Sequence, residues 1–260
     1  MFWIFFNLII FVFGTISGSF LNCVIYRLEK GENFLKGRSY CPHCKHILDW
    51  RDLIPIFSFF ILKGRCRYCQ KKISWQYPLV ELATGIIFLS IFNFLPHQKF
   101  GGGFNLIIAC FLILIFVYDL KHYIIPDKII YPAIIFALIF NFQFLISNQF
   151  SIFNNTILSA FGAAAFFLFM VLISHEKWMG IGDVKLAFLM GLFLGFPNIL
   201  VTLFLAFLIG AVAGLILIAS GKKTLKSEIP FAPFLVTSTF LALFFGQKIL
   251  DWYLNLFLLK

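Results

Sequence analysis

The sequence predicts an all-α polytopic membrane protein, and three observations lead there. Of its 260 residues, 61% are hydrophobic and only 12% charged, with a mean hydropathy of +0.96. The apolar residues gather into eight runs close to the ~20 residues that a helix needs to cross ~30 Å of hydrocarbon. The one long polar segment, 25–77, lies between the first two runs and carries two Cys-x-x-Cys pairs. A soluble domain of this size cannot hide so much apolar surface. The expected fold is about eight transmembrane helices with a zinc-binding cytoplasmic loop between the first and second.

Each run has its own justification. The first, 2–24, lacks a basic leading segment and a small-residue cleavage site, so it reads as a retained helix rather than a signal peptide. The others lie near 78–95, 104–120, 129–147, 152–174, 184–200, 201–219 and 231–247. Only Gly195-Phe196-Pro197-Asn198 supplies turn chemistry between the sixth and seventh runs. The tail 248–260 is apolar but short, and is expected in the membrane interface. This divides the chain into an N-terminal region 1–95 and a membrane domain 104–247, followed by the tail.

Charge sets the expected topology. The loop 25–77 holds Arg27, Lys30, Lys36, Arg38, Lys45, Arg51, Lys63, Arg65, Arg67, Lys71 and Lys72, which makes it cytoplasmic and puts the N-terminus outside. Alternation then makes 120–128, 175–183 and 220–230 cytoplasmic, with Lys121, Lys128, Lys177, Lys222, Lys223 and Lys226. The opposite connections carry only Lys99. The net charge of +10 is thereby assigned to topology and anionic lipid headgroups, not to nucleic acid.

Cys41-Pro42-His43-Cys44 and Cys66-Arg67-Tyr68-Cys69 are separated by twenty-one residues. Four thiolates in two such pairs make a closed tetrahedral Zn²⁺ site, which folds a loop and leaves no position for a reacting water. His43 and His46 are expected to be solvated, and Cys23 and Cys110 to be buried small side chains. The aromatics of Trp50–Phe60 lie either on the membrane surface or against the zinc knuckle.

Two acids stand at membrane edges. Asp119 closes the third run and Asp183 opens the sixth, at one face of the membrane in the expected topology. Ionisable side chains there are costly and mark function by default. Asp183 and Asp127 also suit helix N-terminal capping. Asp119 sits at the wrong end of the helix dipole for that. Two carboxylates at one depth form an acid–base couple around a water, which hydrolyses a peptide with no covalent intermediate. Gly180 and Gly182 would let an extended substrate backbone approach.

Taken together these residues resemble the type IV prepilin peptidases, the bifunctional leader peptidase and N-methyltransferase family of GxGD-type membrane aspartyl proteases. The resemblance runs from about Gly14 to Pro233. It rests on Gly18-Ser19-Phe20-Leu21-Asn22-Cys23-Val24-Ile25-Tyr26-Arg27, the two Cys pairs, Leu53–Ser58, Lys63-Gly64-Arg65-Cys66 and Tyr77-Pro78-Leu79-Val80-Glu81. It continues through Asp119-Leu120, Ile125-Pro126-Asp127, Gly180–Lys185 and Ile229–Pro233. It implies Asp119 and Asp183 as a catalytic dyad, with Gly180, Gly182 and Asp127 accessory. It implies cleavage of prepilin or pseudopilin leaders at the cytoplasmic face. It also implies methylation of the new amine with S-adenosylmethionine, near Gly18, Asn22, Arg27 and Glu81. Two departures fall in that half: Glu29 follows Arg27-Leu28 where the family has Pro, and Gln76 precedes Tyr77 where it has Arg. A basic leader meeting a basic loop needs attraction, assigned to Glu81, Asp49, Asp52 or anionic lipid. The competing readings are a presenilin-like protease, which lacks the Cys pairs, and a transporter or scaffold, which leaves the Cys loop unexplained.

Overall fold

The computed structural model describes residues 2–33, 37–95, 102–147, 149–176, 179–221, 224 and 227–258. Lys36, Lys99, Lys177, Lys222, Lys223 and Lys226, which carry part of the expected charge asymmetry, lie outside them. The chain divides into two compact units, Met1–Leu114 and Ile115–Lys260.

The first unit is built on α1 (Phe2–Lys30) and α3 (Gln76–Phe94), joined by the polar loop. The loop holds a 3₁₀ turn at Trp50–Asp52 and a short helix α2 (Phe57–Ile61). Glycine decides how α1 and α3 meet. A Cβ at Gly14 would stand 2.8 Å from Gly85 Cα, and one at Gly18 would stand 2.7 Å from Glu81 Cα. Small residues four apart let two backbones approach closely where lipid offers no hydrophobic drive for association. Asn7 and Asn93 add a 2.9 Å hydrogen bond near the far end of the pair. The helix α4 (Gly102–His122) carries the boundary between the units.

The second unit takes the last turns of α4 with α5 (Asp127–Ile146), α6 (Phe150–Ser174), α7 (Ile181–Leu194), α8 (Asn198–Ala219) and α9 (Ala232–Leu258). Its core is α7, which packs against α5, α6, α8 and α9. From Leu186 to Leu194 only Phe188 is not fully buried. A Cβ at Gly191 would lie 2.4 Å from Ala160 Cα, so α6 and α7 touch backbone to backbone there.

Among the described residues no strand forms, and α1, α3, α4, α6, α8 and α9 are long and apolar enough to cross a membrane. The chain is thus a nearly all-helical multi-pass membrane protein. One expectation needs correction. The sixth run was expected to cross to residue 200, but α7 stops at Leu194. Gly195 takes φ +66° there, a conformation that suits glycine and breaks the helix. At ~1.5 Å per residue its 14 residues reach ~21 Å, short of a ~30 Å crossing. Among the described residues the count of about eight crossings is therefore not confirmed. The described residues of the tail 248–260 continue α9 to Leu258. Gly246 lies inside α9, where its hydrogen admits Asn198 Oδ1, which would lie 2.6 Å from a Cβ.

Candidate active site

The last turn of α4 and the first turn of α7 bring Asp119 and Asp183 within electrostatic reach of one another. Asp119 is only 5% exposed. The backbone N–H of Ala232, the first residue of α9, lies near the Asp119 carboxylate. A helix N-terminus presents unpaired N–H groups and the positive end of its dipole, so it stabilises a buried carboxylate. The second oxygen, Asp119 Oδ2, is buried and has no hydrogen-bond partner among the described residues. A buried acceptor left unpaired costs roughly 1–3 kcal/mol. This oxygen is the one in the cluster that a water or a substrate N–H would satisfy.

Asp183 is half-buried at the third position of α7, where it accepts the Gly180 N–H at 3.3 Å. Capping and proximity to Asp119 are thus both true of it, and the cap fixes the direction of its carboxylate. The two glycines differ. A Cβ on Gly182 would press to 3.1 Å from Ile125 Cβ, so Gly182 serves packing. Gly180 is exposed and a Cβ there would meet only the Gly182 nitrogen, at 3.9 Å, so the backbone before Asp183 stays accessible.

Asp127 is not brought into this cluster. Its side chain is 61% exposed and pairs with Lys185 at 2.5 Å, while Pro126 holds the N-cap position of α5 with no side-chain cap bond. The expected cap is therefore replaced by an ion pair, which Lys185 supplements by lying 4.7 Å from the Tyr131 ring centre.

In the loop, the Cys41, Cys44, Cys66 and Cys69 sulfurs all lie within 4.8 Å of one another, with 3.9 Å between those of Cys41 and Cys69. Zn–S bonds of ~2.3 Å in a tetrahedron put sulfurs ~3.8 Å apart, so the four thiols fit a Zn²⁺ ion. The knuckles are built alike. In each the first Cys N–H bonds a carbonyl five residues on, to His46 or Lys71, and Lys45 or Gln70 takes positive φ. Burial would raise the Cys41 thiol, but backbone N–H groups of Cys44 and His43 and neighbouring sulfurs bring it down to about 7. The Lys71 N–H favours the Cys69 thiolate, yet burial and the other three sulfurs push it up to about 11. Sulfurs this close ionise together only around a cation. His46 is exposed, as expected, and its ring also lies against Tyr68, ring centres 3.7 Å apart.

The four residues expected for methylation have other employment. Gly18 opens space for Glu81, as described. Asn22 is 2% exposed, donates to the Tyr77 carbonyl at 3.1 Å, and accepts from Gln76, the residue found where the family has Arg. Arg27 is 4% exposed and donates to the carbonyls of Asn33, Gly37 and Arg38. Glu81 accepts the Ile56 N–H at 2.7 Å. These groups hold the loop to α1 and α3.

The acids assigned to attract a basic leader are likewise committed. Asp52 accepts from Arg67 at 2.7 Å and from Tyr68 at 3.2 Å, and Asp49 caps the 3₁₀ turn through Trp50 N–H. Burial opposes the Asp52 charge, but Arg67, the Asp49 N–H and Tyr68 outweigh it and hold its carboxyl below the usual range. Sequence reasoning missed three contributors: the Ala232 N–H, Lys185 and the Ile56 N–H. Two are backbone groups, and only Pro230 and Pro233, flanking a helix start, hint at the first.

Residues 12–95 match the profile of the bacterial peptidase A24 N-terminal domain, and residues 106–215 that of the type IV leader peptidase family. A prepilin leader peptidase/N-methyltransferase of Aeromonas hydrophila is 32% identical over 287 residues, covering 98% of this chain and 96% of its own. The protein of that name from Bacillus subtilis (strain 168) is 32% identical over 255 residues, covering 95% and 98%. That from Legionella pneumophila is 32% identical over 283 residues, covering 96% and 95%. No solved structure matches the chain. Identity at this level, sustained from end to end of both chains, is what common descent leaves behind, and the chain belongs to the type IV leader peptidase family.

Proposed function

We propose that the chain is a membrane aspartyl endopeptidase that removes the leader of type IV prepilins or pseudopilins, with Asp119 and Asp183 as its acid–base pair. The observation that carries the reading is the buried, unpartnered Asp119 Oδ2 within reach of Asp183. One carboxylate takes a proton from water as its oxygen attacks the scissile carbonyl. The other carboxyl gives its proton to the departing amine, and the pair ends with one proton, as it began. Ala232 N–H holds Asp119 and Gly180 N–H holds Asp183, so neither acid needs to reorganise. The open backbone at Gly180 suits a substrate strand lying alongside.

The substrate class follows from the relatives' name and from the membrane setting: a basic leader before an apolar helix, with the helix lying in the bilayer beside the enzyme. The proposed location is the bacterial cytoplasmic membrane, N-terminus outside and dyad at the cytoplasmic face. The double name of the relatives supports methylation of the new N-terminal amine as a second activity. S-adenosylmethionine would supply the methyl group, and no step is assigned to Gly18, Asn22, Arg27 or Glu81, which hold the scaffold. With Asp49 and Asp52 committed, anionic lipid is the partner left to attract a basic leader.

The test is leader cleavage of a prepilin-like substrate in reconstituted membranes. Asp119→Asn and Asp183→Asn each lower the rate by on the order of 10²–10⁴, the span that a positioned acid or base supplies. Near-normal cleavage by either zinc-loaded variant would remove that residue from the pair.

A further inference from the structure

The turn that holds Ile56 combines strain, burial and depth. Ile56 has φ +63° and ψ −55°, and the Phe57 N–H bonds back to the Pro55 carbonyl at 2.6 Å. This is a γ-turn with a β-branched residue at positive φ, a rare and costly conformation that persists only when its surroundings fix it. The fixing group is Glu81, 7% exposed, whose Oε2 accepts the Ile56 N–H.

Glu81 also reports how deep the turn lies. It comes five residues after Gln76, the first residue of α3, so it stands roughly 7.5 Å along the helix. The 19 residues of α3 reach ~28 Å, no more than the ~30 Å hydrocarbon layer they would have to cross. There is no slack to leave a turn and a half outside. Gln76 therefore stands at the membrane boundary, and the backbone at Ile56 is pinned below it. Phe59 packs on Trp75, ring centres 4.8 Å apart, which ties α2 to that boundary residue. Around the turn Phe57, Phe60 and Ile61 are 67%, 60% and 72% exposed. Arg51, Lys63 and Arg65 flank it, all exposed. Large exposed apolar side chains with a basic rim, held at the depth of an aromatic boundary residue, suit an anionic interface.

We infer that the segment Leu53–Leu62 is an interfacial wedge whose partner is the lipid bilayer: α2 buries Phe57, Phe60 and Ile61 among acyl chains, and Glu81 sets its depth through the Ile56 N–H. The wedge does not depend on the peptidase reading, and its test does not measure cleavage.

The zinc-loaded full chain is reconstituted into phosphatidylethanolamine–phosphatidylglycerol vesicles that carry a phospholipid with a photoactivatable acyl chain. After irradiation, trypsin releases Asp52–Lys63 as one peptide, with Ser39–Lys45 as the knuckle control and 1–27 from α1 as the membrane control. Lipid adducts on Asp52–Lys63 should come within about threefold of those on 1–27 and exceed those on Ser39–Lys45 roughly tenfold, as insertion of an apolar face requires. Labelling of Asp52–Lys63 no greater than the knuckle control overturns the wedge. So does labelling lost when a prepilin-like peptide with its apolar helix is added, which makes the face a protein site. Glu81→Gln keeps an acceptor for the Ile56 N–H and should keep the labelling, while Glu81→Leu, checked for full zinc content, should lose most of it. Equal labelling of the two variants overturns the pinning.

Discussion

At the residue scale the acids sort themselves by what they accept. Asp119 lies near a backbone N–H and keeps Oδ2 buried and open; Asp183 accepts the Gly180 N–H within electrostatic reach of Asp119. Asp127 ends on an exposed ion pair with Lys185. Exposed pairs are worth ~0.2–1 kcal/mol, so Asp127→Asn should leave leader cleavage within about threefold of wild type in reconstituted membranes. A loss as deep as that of Asp119→Asn would move Asp127 into the catalytic group. The position of Asp119 was legible because a carboxylate at a helix C-terminus has no local explanation. Its anchor was not legible: Ala232 contributes only its backbone N–H, from a helix far along the chain, and no side-chain pattern announces that. Glu81, near the N-terminal end of α3, was singled out only through the resemblance, and its partner, a backbone N–H, was hidden like that of Asp119.

At the element scale the zinc knuckles were the most readable part of the chain. Cys spacing is dictated by the ion, and the two knuckles repeat one backbone course. Helix ends were read less well, because a glycine in sequence does not say whether it ends a helix or admits a neighbour. Gly195 ends α7, whereas Gly246 lies inside α9 against Asn198. The γ-turn at Ile56 carries the sharpest expectation here. A non-glycine residue in such a region costs ~1–3 kcal/mol, so Ile56→Gly should slow opening of the loop by chelator severalfold and Ile56→Val should not. Zinc release measured with a colorimetric chelator checks both.

At the scale of the whole molecule, chain division and chemistry run together. The zinc loop belongs to Met1–Leu114, and both candidate catalytic acids belong to Ile115–Lys260. Each unit has its own core, one built on the α1–α3 glycine contact and the other around α7. Stripping the metal should therefore abolish hydrogen-exchange protection of loop amides such as Cys41, Cys66 and Ile73, and leave amides of α7 protected. A structural Zn²⁺ supplies ~10–16 kcal/mol in small zinc modules, so partial protection of the stripped loop would show that α1 and α3 hold it without the ion. The all-helical class was legible from hydropathy. The number of full crossings was not, because a 14-residue buried helix such as α7 reads in sequence like the start of a longer one.

The shortness of α3 reaches beyond the loop it anchors. A helix with no residue to spare makes bilayer thickness a variable of the protein, since mismatch is met by local thinning or snorkelling at fractions of a kcal/mol per Å. In thicker lipid the first backbone to be drawn inward is the stretch from Gln76 to Glu81, the same stretch that holds Ile56. The acyl-chain length of the host membrane is thereby transmitted to the posture of the loop that is anchored at its surface.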